Sequence, residues 1–164
     1  MNSLDIALVF AVLTCSLVTG FIFTYAVVVM PGFSKLEDKE FLRAFQVTDG
    51  VIQNNQPLFM LTWVGSIISV LSVMAISILS LGVSEAWIIF VVGLIYLLGV
   101  QGITISIHLP LNNHIQKIDI NDMNNQSLNE ERTNFEMRWN YFNNIRTFIA
   151  FAASLSFLLI LMVR

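Results

Sequence analysis

Four long apolar stretches dominate this chain of 164 residues. The stretches that contain no Lys, Arg, Asp or Glu cover residues 6–34, 50–84, 86–116 and 147–163. A helix that crosses a bilayer needs about 20 predominantly apolar residues. We therefore predict membrane-spanning helices at roughly 6–30, 58–81, 87–107 and 147–163. The fold class that follows is all-α, an integral membrane four-helix bundle that forms one domain over 1–164.

The connection between the first two spans predicts a shorter amphipathic helix over about 36–54. Its apolar stripe carries Phe41, Phe45 and Ile52. Asp49 and Gln53 belong to a neighbouring polar stripe, together with Gln46. This pattern is typical of a helix that lies on the surface of a larger apolar body. The turn at 82–85 is tight, so spans two and three are expected to be antiparallel neighbours.

The connection between spans three and four has two parts. Residues 118–129 are rich in Asn, Asp and Ser and predict a mobile loop. No Gly or Pro interrupts the chain from Glu130 to Val163, which predicts one helix. Its length of about 34 residues, or about 51 Å, exceeds the roughly 30 Å hydrocarbon core of a bilayer. We expect its first turns to project beyond the membrane.

The basic residues predict the orientation. All but one of them lie in the two long connections: Lys35, Lys39, Arg43, Lys117, Arg132, Arg138 and Arg146. By the positive-inside rule, both connections are expected to be cytoplasmic and both termini outside, in a plasma membrane of the bacterial type. The first span is expected to stay in the mature protein, because its leader has no basic residue and its apolar run is long for a signal peptide.

Composition excludes several classes of function. The mean hydropathy is +0.76, with 56% apolar and 12% charged residues, which is not the composition of a soluble domain. The net charge of −3 and the absence of a basic run argue against nucleic acid as a partner. Cys15 is the single cysteine, so an internal disulfide, a CxxC pair and a zinc ribbon are excluded.

Polar and aromatic side chains collect at one end of the predicted bundle. In the last helix, Arg132, Glu136, Trp139, Asn143 and Arg146 step by four, three, four and three, which places them on one face. The residues from all four spans and the amphipathic segment that approach the same end are Tyr25, Asp49, Gln53, Gln56, Trp63, Gln101, Thr104, His108, Asn112, Asn140 and Arg146. Polar groups at a membrane boundary need partners and often mark a site.

Several of these residues also have a purely structural interpretation. Trp63 and Trp139 suit an interfacial aromatic belt, and Arg146 suits a snorkelling cation at a membrane edge. His108 is the sharpest candidate for chemistry, as a base near neutral pH, and its alternative is a histidine hydrogen-bonded between helices. No HxxxH, HxxE or ExxH spacing supports a metal site, so none is predicted.

Two sequence runs resemble a known family. The run HLPLNNHI at 108–115 and the run RTNFEMRWNYFNNIRT at 132–147 are similar to the hallmark of the domain-of-unknown-function 1772 family, which includes fungal and bacterial anthrone oxygenases. The length of the chain, its four spans and its polar end also agree, so the resemblance covers essentially the whole chain. The Pro-Leu-Asn and Trp-Asn-x-x-Asn-x-x-Arg-Thr elements are specific in combination.

The resemblance implies that anthrones are oxidised to anthraquinones by O2 without flavin, haem or metal. It also implies His108, Trp63 and Trp139 as residues needed for activity. We expect His108 to act as the base, Arg146 to stabilise the oxyanion with Asn112 and Asn143, and aromatic rings including Tyr25 to stack on the substrate. The remaining substrate-binding candidates are Asp49, Gln53, Gln101, Thr104, Asn113, Glu136 and Asn140. The expected partners are a hydrophobic small molecule, O2 and the lipid bilayer.

Three other functions compete with this hypothesis. A non-enzymatic protein that binds a lipid or another hydrophobic ligand would use the same polar end for a headgroup. A channel or transporter is less favoured, because the outer halves of the spans carry almost no polar groups. A haem or quinone redox protein usually has histidines on two facing helices, and only His108 is suitably placed.

Overall fold

The computed structural model describes residues 2–164, and all regular structure in that range is helical. The five helices are α1 (Ser3–Phe33), α2 (Asp38–Gln53), α3 (Pro57–Leu81), α4 (Val83–Lys117) and α5 (Asn125–Met162). Four of them, all except α2, are long and apolar enough to cross a membrane. The predictions of an all-α fold and of four spans are confirmed.

The helix ends follow from local sequence. The Asn2 side chain accepts a hydrogen bond from the backbone N–H of Asp5, and the Asp5 carboxylate accepts one in return, so a capping box starts α1. Pro57 occupies the first turn of α3, where no N–H is needed. Gly82, with φ of 78°, is the single residue between α3 and α4, and a glycine tolerates this left-handed conformation.

The predicted mobile loop at 118–129 is wrong in its second half. Helix α5 begins at Asn125, because the side chain of Asn124 accepts a hydrogen bond from the Ser127 N–H at 2.9 Å. Leu128 is buried in the first turns of α5 and Ile120 is buried in the connection. This polar segment therefore contains a helix cap and two buried apolar residues. Helix α5 has 38 residues.

The spanning helices form a ring. Helix α1 packs against α3 and α5, and α4 packs against the same two helices, so α3 and α5 are diagonally opposed. The inward residues of α1 recur at steps of four and three: Leu4, Leu8, Ala11, Cys15, Val18 and Ile22. This spacing keeps one apolar stripe facing the partner helices. Their core is completed by residues such as Val70, Tyr96 and Phe157.

A second apolar cluster lies under α2, at the end of the bundle where α1 ends and α3 begins. Phe41 and Phe45 of α2 pack there against Phe135 of α5. Arg132 of α5 holds the α1–α2 connection against α5, because its guanidinium donates to the carbonyl oxygens of Ser34 and Leu36 at 2.8 and 2.7 Å. Helix α2 therefore closes this end of the bundle.

Helices α1 and α4 contain three π-helical turns, at Tyr25–Val29, Leu97–Gly102 and Thr104–His108, and the first and the last of them precede a proline. The turn at Tyr25–Val29 is followed by Pro31, and the turn at Thr104–His108 is followed by Pro110. A proline inside a helix lacks an N–H and crowds the preceding turn, and a widened turn relieves both problems. Helix α4 consequently continues through Pro110 to Lys117, beyond the predicted membrane span at 87–107.

Candidate functional site

A cavity of about 530 Å³ lies between the helices at the end closed by α2. Its volume is within the range of about 300–1,000 Å³ that is typical of small-molecule sites. All five helices contribute to its wall. Nine of the candidate catalytic and substrate-binding residues line it, together with Gln56: Tyr25, Asp49, Gln53, Trp63, Thr104, His108, Asn112, Trp139 and Arg146. Tyr25 lies in the π-helical turn of α1, and Thr104 and His108 lie in the second π-helical turn of α4.

Five of the predicted substrate-binding residues do not line the cavity. Gln101 lies behind Trp63, and Asn143 lies behind Arg146, each hydrogen-bonded to the residue in front of it. Glu136 forms an ion pair with Arg132 at 3.0 Å. The remaining two are Asn113, which accepts a hydrogen bond from Gln53, and Asn140, which is half-buried on α5. Gln101, Asn143 and Glu136 share helix faces with residues of the wall, but the cavity reaches only part of those faces.

Arg146 is buried in the wall, with 6% of its surface exposed. Its guanidinium donates twice to Asn143 Oδ1, at 3.0 and 2.8 Å, and once to Thr104 Oγ1 at 2.9 Å. A guanidinium has five N–H groups, so two of them have no such acceptor. Among residues 2–164, no Asp or Glu forms an ion pair with Arg146. The cavity wall therefore contains a guanidinium group that is not ion-paired.

His108 lies in the same wall and is 1% exposed. Neither ring nitrogen has a hydrogen-bond partner within the described part of the chain. A buried polar atom without a partner costs about 1–3 kcal/mol. Since Thr104 is four residues earlier on α4, His108 lies one helical turn from the hydroxyl that Arg146 contacts. Both ring nitrogens are buried, so the imidazole has no hydrogen bond to break, but it or a ligand has to move before a proton can pass between them.

Asp49 is the buried carboxyl group of the site. Its oxygens accept hydrogen bonds from Asn112 at 2.7 Å, Gln116 at 3.1 Å and Gln53 at 3.2 Å. Burial raises the pKa of the Asp49 carboxyl above its ordinary value, and the three amide donors oppose that rise. The sequence pattern placed Asp49 on a polar stripe of α2, whereas the structure buries it to 2% exposure.

Both tryptophans of the wall donate their indole N–H to an amide oxygen. Trp63 donates to Gln101 at 2.6 Å, and Trp139 donates to Asn112 at 3.0 Å. Gln101 in turn donates to Ser66 and Tyr96 in the bundle core. These contacts hold the two rings on diagonally opposed helices, and Trp139 is more deeply buried than a residue of an interfacial belt.

The rest of the wall is mostly apolar and was not recognised from the sequence. It includes Phe45 and Ile52 of α2 and Met60 of α3. Leu17 and Leu58 line the cavity and are also exposed on the outer surface of the bundle, so the cavity reaches that surface between α1 and α3. Gln116 does not line the cavity but donates to Asp49, and it was the detectable omission, since it lies four residues after Asn112 on the same helix face.

The donor set around the cavity does not form a metal centre of the usual kind. Within residues 2–164, no group of three His, Cys, Asp or Glu side chains is close enough to hold an ion. His114 lies outside the wall and forms an ion pair with Glu131 at 2.8 Å, with 55% of its side chain exposed.

The comparison with known families agrees with the two sequence runs. The anthrone oxygenase family matches residues 52–156, which is more than half of the chain. No curated protein and no solved structure matches. The matched range contains Trp63, His108, Asn112, Trp139 and Arg146, and Tyr25 and Asp49 precede it. The predicted resemblance is confirmed: the chain belongs to the anthrone oxygenase family.

Proposed function

We propose that this protein uses O2 to oxidise a flat phenolic compound of the anthrone type, in the cavity and without a bound cofactor. One observation carries the proposal: a buried imidazole and a buried guanidinium share an otherwise apolar wall, and neither is neutralised or saturated by the described residues. Membership of the anthrone oxygenase family supports the substrate class.

The chemistry balances with O2 as the only oxidant. Removal of a proton from the acidic CH2 carbon of an anthrone leaves an electron-rich phenolate-type anion. This anion passes one electron to O2, and the carbon radical and superoxide combine with a proton to form a hydroperoxide. Loss of water then produces the second carbonyl group. One oxygen atom ends in the quinone and the other in water, and the carbon loses four electrons in total.

His108 and Arg146 have complementary roles in this scheme. A neutral His108 accepts the proton, because one of its unpartnered ring nitrogens carries a free lone pair. The two remaining N–H groups of Arg146 bind the oxygen on which negative charge develops. Such stabilisation is strong in a water-poor site and is often the largest catalytic contribution. Trp63 and Tyr25 provide aromatic surface for the rings of the substrate.

The apolar surroundings suit both reactants. A hydrophobic substrate and O2 concentrate in lipid, and the cavity reaches the outer surface of the bundle beside Leu17 and Leu58. We further propose that the end closed by α2 faces the cytoplasm, because seven of the eight Lys and Arg residues lie in the two connections at that end or next to them. The substrate then enters from the inner leaflet.

The test is oxygen uptake by the detergent-purified protein with a simple hydroxyanthrone, corrected for autoxidation without protein. We expect His108→Ala to lower the rate by about 10²-fold or more, since it removes the base. His114→Ala is the matched control and keeps the full rate, because His114 is exposed and outside the cavity. Uptake that does not exceed autoxidation in the unmodified protein would contradict the proposal.

A lipid-binding or ligand-binding protein is the second candidate. The observation in its favour is the same unpaired guanidinium, which would bind an anionic headgroup while the apolar wall holds the chain. Such a protein retains a lipid through purification, loses it in Arg146→Gln and consumes no O2. Mass spectrometry of the extracted lipid, combined with the uptake assay, separates the two functions.

A further inference from the structure

A chain of hydrogen bonds crosses three helices beside the cavity. Asp49 of α2 accepts a hydrogen bond from the Nδ2 group of Asn112 of α4, at 2.7 Å. The Oδ1 atom of the same Asn112 accepts the indole N–H of Trp139 of α5, at 3.0 Å. These residues are far apart in sequence, so only the packing of α2 across α4 and α5 brings them together.

Asp49 determines how the side-chain amide of Asn112 is oriented in this series of hydrogen bonds. Its second oxygen is held by Gln53 and Gln116, so the carboxyl group has a fixed place. A reversed Asn112 carboxamide would turn its N–H groups towards the indole N–H of Trp139 and its oxygen towards the oxygen of Asp49. Both contacts would be repulsive, and the amide therefore faces one way.

Trp139 supports both reactive groups of the site. The His108 ring meets it at a centroid distance of 5.0 Å and an angle of 81°, an edge-to-face contact. The guanidinium carbon of Arg146 lies over the same ring, 5.6 Å from its centroid. Because His108 makes no side-chain hydrogen bond within residues 2–164, packing against Trp139 is what orients its imidazole. Trp139 itself is only 2% exposed, which leaves little of its surface for a ligand.

We propose that Asp49 is a positioning residue for the reaction: it orients Asn112, Asn112 orients Trp139, and Trp139 holds His108 and Arg146 in place. This inference rests on the proposed function for the identity of the reaction. It differs from the sequence-based expectation that Asp49 binds the substrate. A binding role places the effect of Asp49 in KM, whereas a positioning role places it in kcat, because misplaced groups slow the chemical step.

The first measurement follows the indole N–H resonances of the three tryptophans by NMR, in the ¹⁵N-labelled protein in detergent. Trp63→Phe and Trp87→Phe assign the signals. We expect Asp49→Ala to shift the resonance of Trp139 and to leave those of Trp63 and Trp87 in place. Thr48→Ala is the matched control, since the Thr48 hydroxyl bonds only the Ala44 carbonyl of its own helix. It leaves all three resonances unchanged.

The second measurement is kinetic. Asp49→Ala is expected to lower kcat by up to about 10²-fold with KM unchanged. Asp49→Asn retains an oxygen that accepts from Asn112, so it restores most of kcat. Asn112→Leu keeps the volume of the side chain and removes the acceptor for Trp139. It is expected to shift the Trp139 resonance and to lower kcat in the same way, and it replaces Asp49→Ala if that variant does not fold. In the double variant Asp49→Ala with Asn112→Leu, we expect no further loss of kcat, because both residues act through the same series of hydrogen bonds.

The outcomes separate this inference from the proposed function. If Asp49→Ala shifts the Trp139 resonance but the unmodified protein does not oxidise the substrate, the series of hydrogen bonds is supported and the proposed reaction is overturned. Normal activity with an unshifted Trp139 resonance in Asp49→Ala overturns the positioning role and leaves the reaction standing. A raised KM at unchanged kcat, or additive losses in the double variant, also overturns it, because Asp49 then contacts the substrate.

Discussion

Arg146 and His108 are the residues that a purely structural bundle would not retain. An uncompensated guanidinium inside a membrane protein is costly, and an imidazole without hydrogen bonds adds to that cost. Both lie in one wall of one cavity. Polar groups that lower stability and converge on a cavity are typical of sites under selection for function.

This cost leads to a prediction for Arg146→Gln. The rate of oxidation is expected to fall by about 10²-fold, since the donors to the oxyanion are lost. The melting temperature in detergent is expected to stay the same or rise, because a desolvated charge without an acidic partner is removed. Oxygen uptake and thermal unfolding are measured together.

The control for Arg146 is Arg138→Gln, on an exposed position of the same helix. We expect it to change neither quantity. If Arg146→Gln lowers the melting temperature and keeps the rate, the guanidinium is a structural group that joins α4 to α5 through Thr104, and its catalytic role is disproved.

Single residues were the most predictable part of the site. Nine candidates line the cavity because helical spacing places them on inward faces. Gln101 and Asn143 were located correctly but lie one layer behind the wall, where they hold Trp63 and Arg146. The periodicity of a helix determines the direction of a side chain, but the depth to which a cavity extends depends on how neighbouring helices diverge.

The π-helical turns are the decisive feature among the structural elements. The turns at Tyr25–Val29 and Thr104–His108 each precede a proline and change the phase of the helix, and Tyr25 in α1 and His108 in α4 line the cavity from these turns. The widened turn before Pro110 accommodates the proline within α4. Pro110 and the geometry of the candidate site are linked through the same turn.

Replacement of Pro110 tests this link. Pro110→Ala restores an N–H, so the turn at Thr104–His108 is expected to return to ordinary α-helical bonding. His108 then rotates away from its place beside Trp139. We expect stability to be kept or increased and the oxidation rate to fall, by uptake assay and thermal unfolding. Pro57→Ala, at the first turn of α3, is the control and keeps the rate. Full activity of Pro110→Ala would refute the link.

Helix α5 shows what element prediction missed. Its unbroken run and its length beyond the bilayer were evident, but its start at Asn125 was not, because Asn and Ser usually indicate loops. Asn124 is a cap and Leu128 is a core residue of the cluster under α2. A cap is recognisable only once the helix that follows has an apolar cluster to pack against.

The whole molecule consists of a ring of four long helices closed at one end by α2. The cavity lies between the four long helices at the end covered by α2, so its shape depends on how closely α4 and α5 approach each other. They approach at Gly99, where an added Cβ would lie 2.8 Å from Ile149 Cγ2 and 2.9 Å from its Cδ1. Ile149 is β-branched and has little freedom to move away.

Gly99→Ala is therefore expected to destabilise the protein by about 1–3 kcal/mol through overpacking. The same substitution at Gly102, on the same helix, meets only the Leu97 carbonyl oxygen at an ordinary 3.6 Å. Gly102→Ala is expected to be neutral or to stabilise by up to about 1 kcal/mol, from helix propensity. Chemical unfolding in mixed micelles compares the two variants. Equal free energies of unfolding for Gly99→Ala and Gly102→Ala would contradict this expectation, because α4 and α5 would then move apart without a loss of stability.

The sequence by itself determined the four spans, the polar end of the bundle and the family, because apolar length, helical period and short motifs are local properties. The tertiary structure decided which polar residues line the cavity and which support them. Asp49 and Asn112 are 63 positions apart, and no local pattern relates them. Their contact exists because α2 folds over the end of the ring, where burial makes each unpaired polar group costly and so selects its partner.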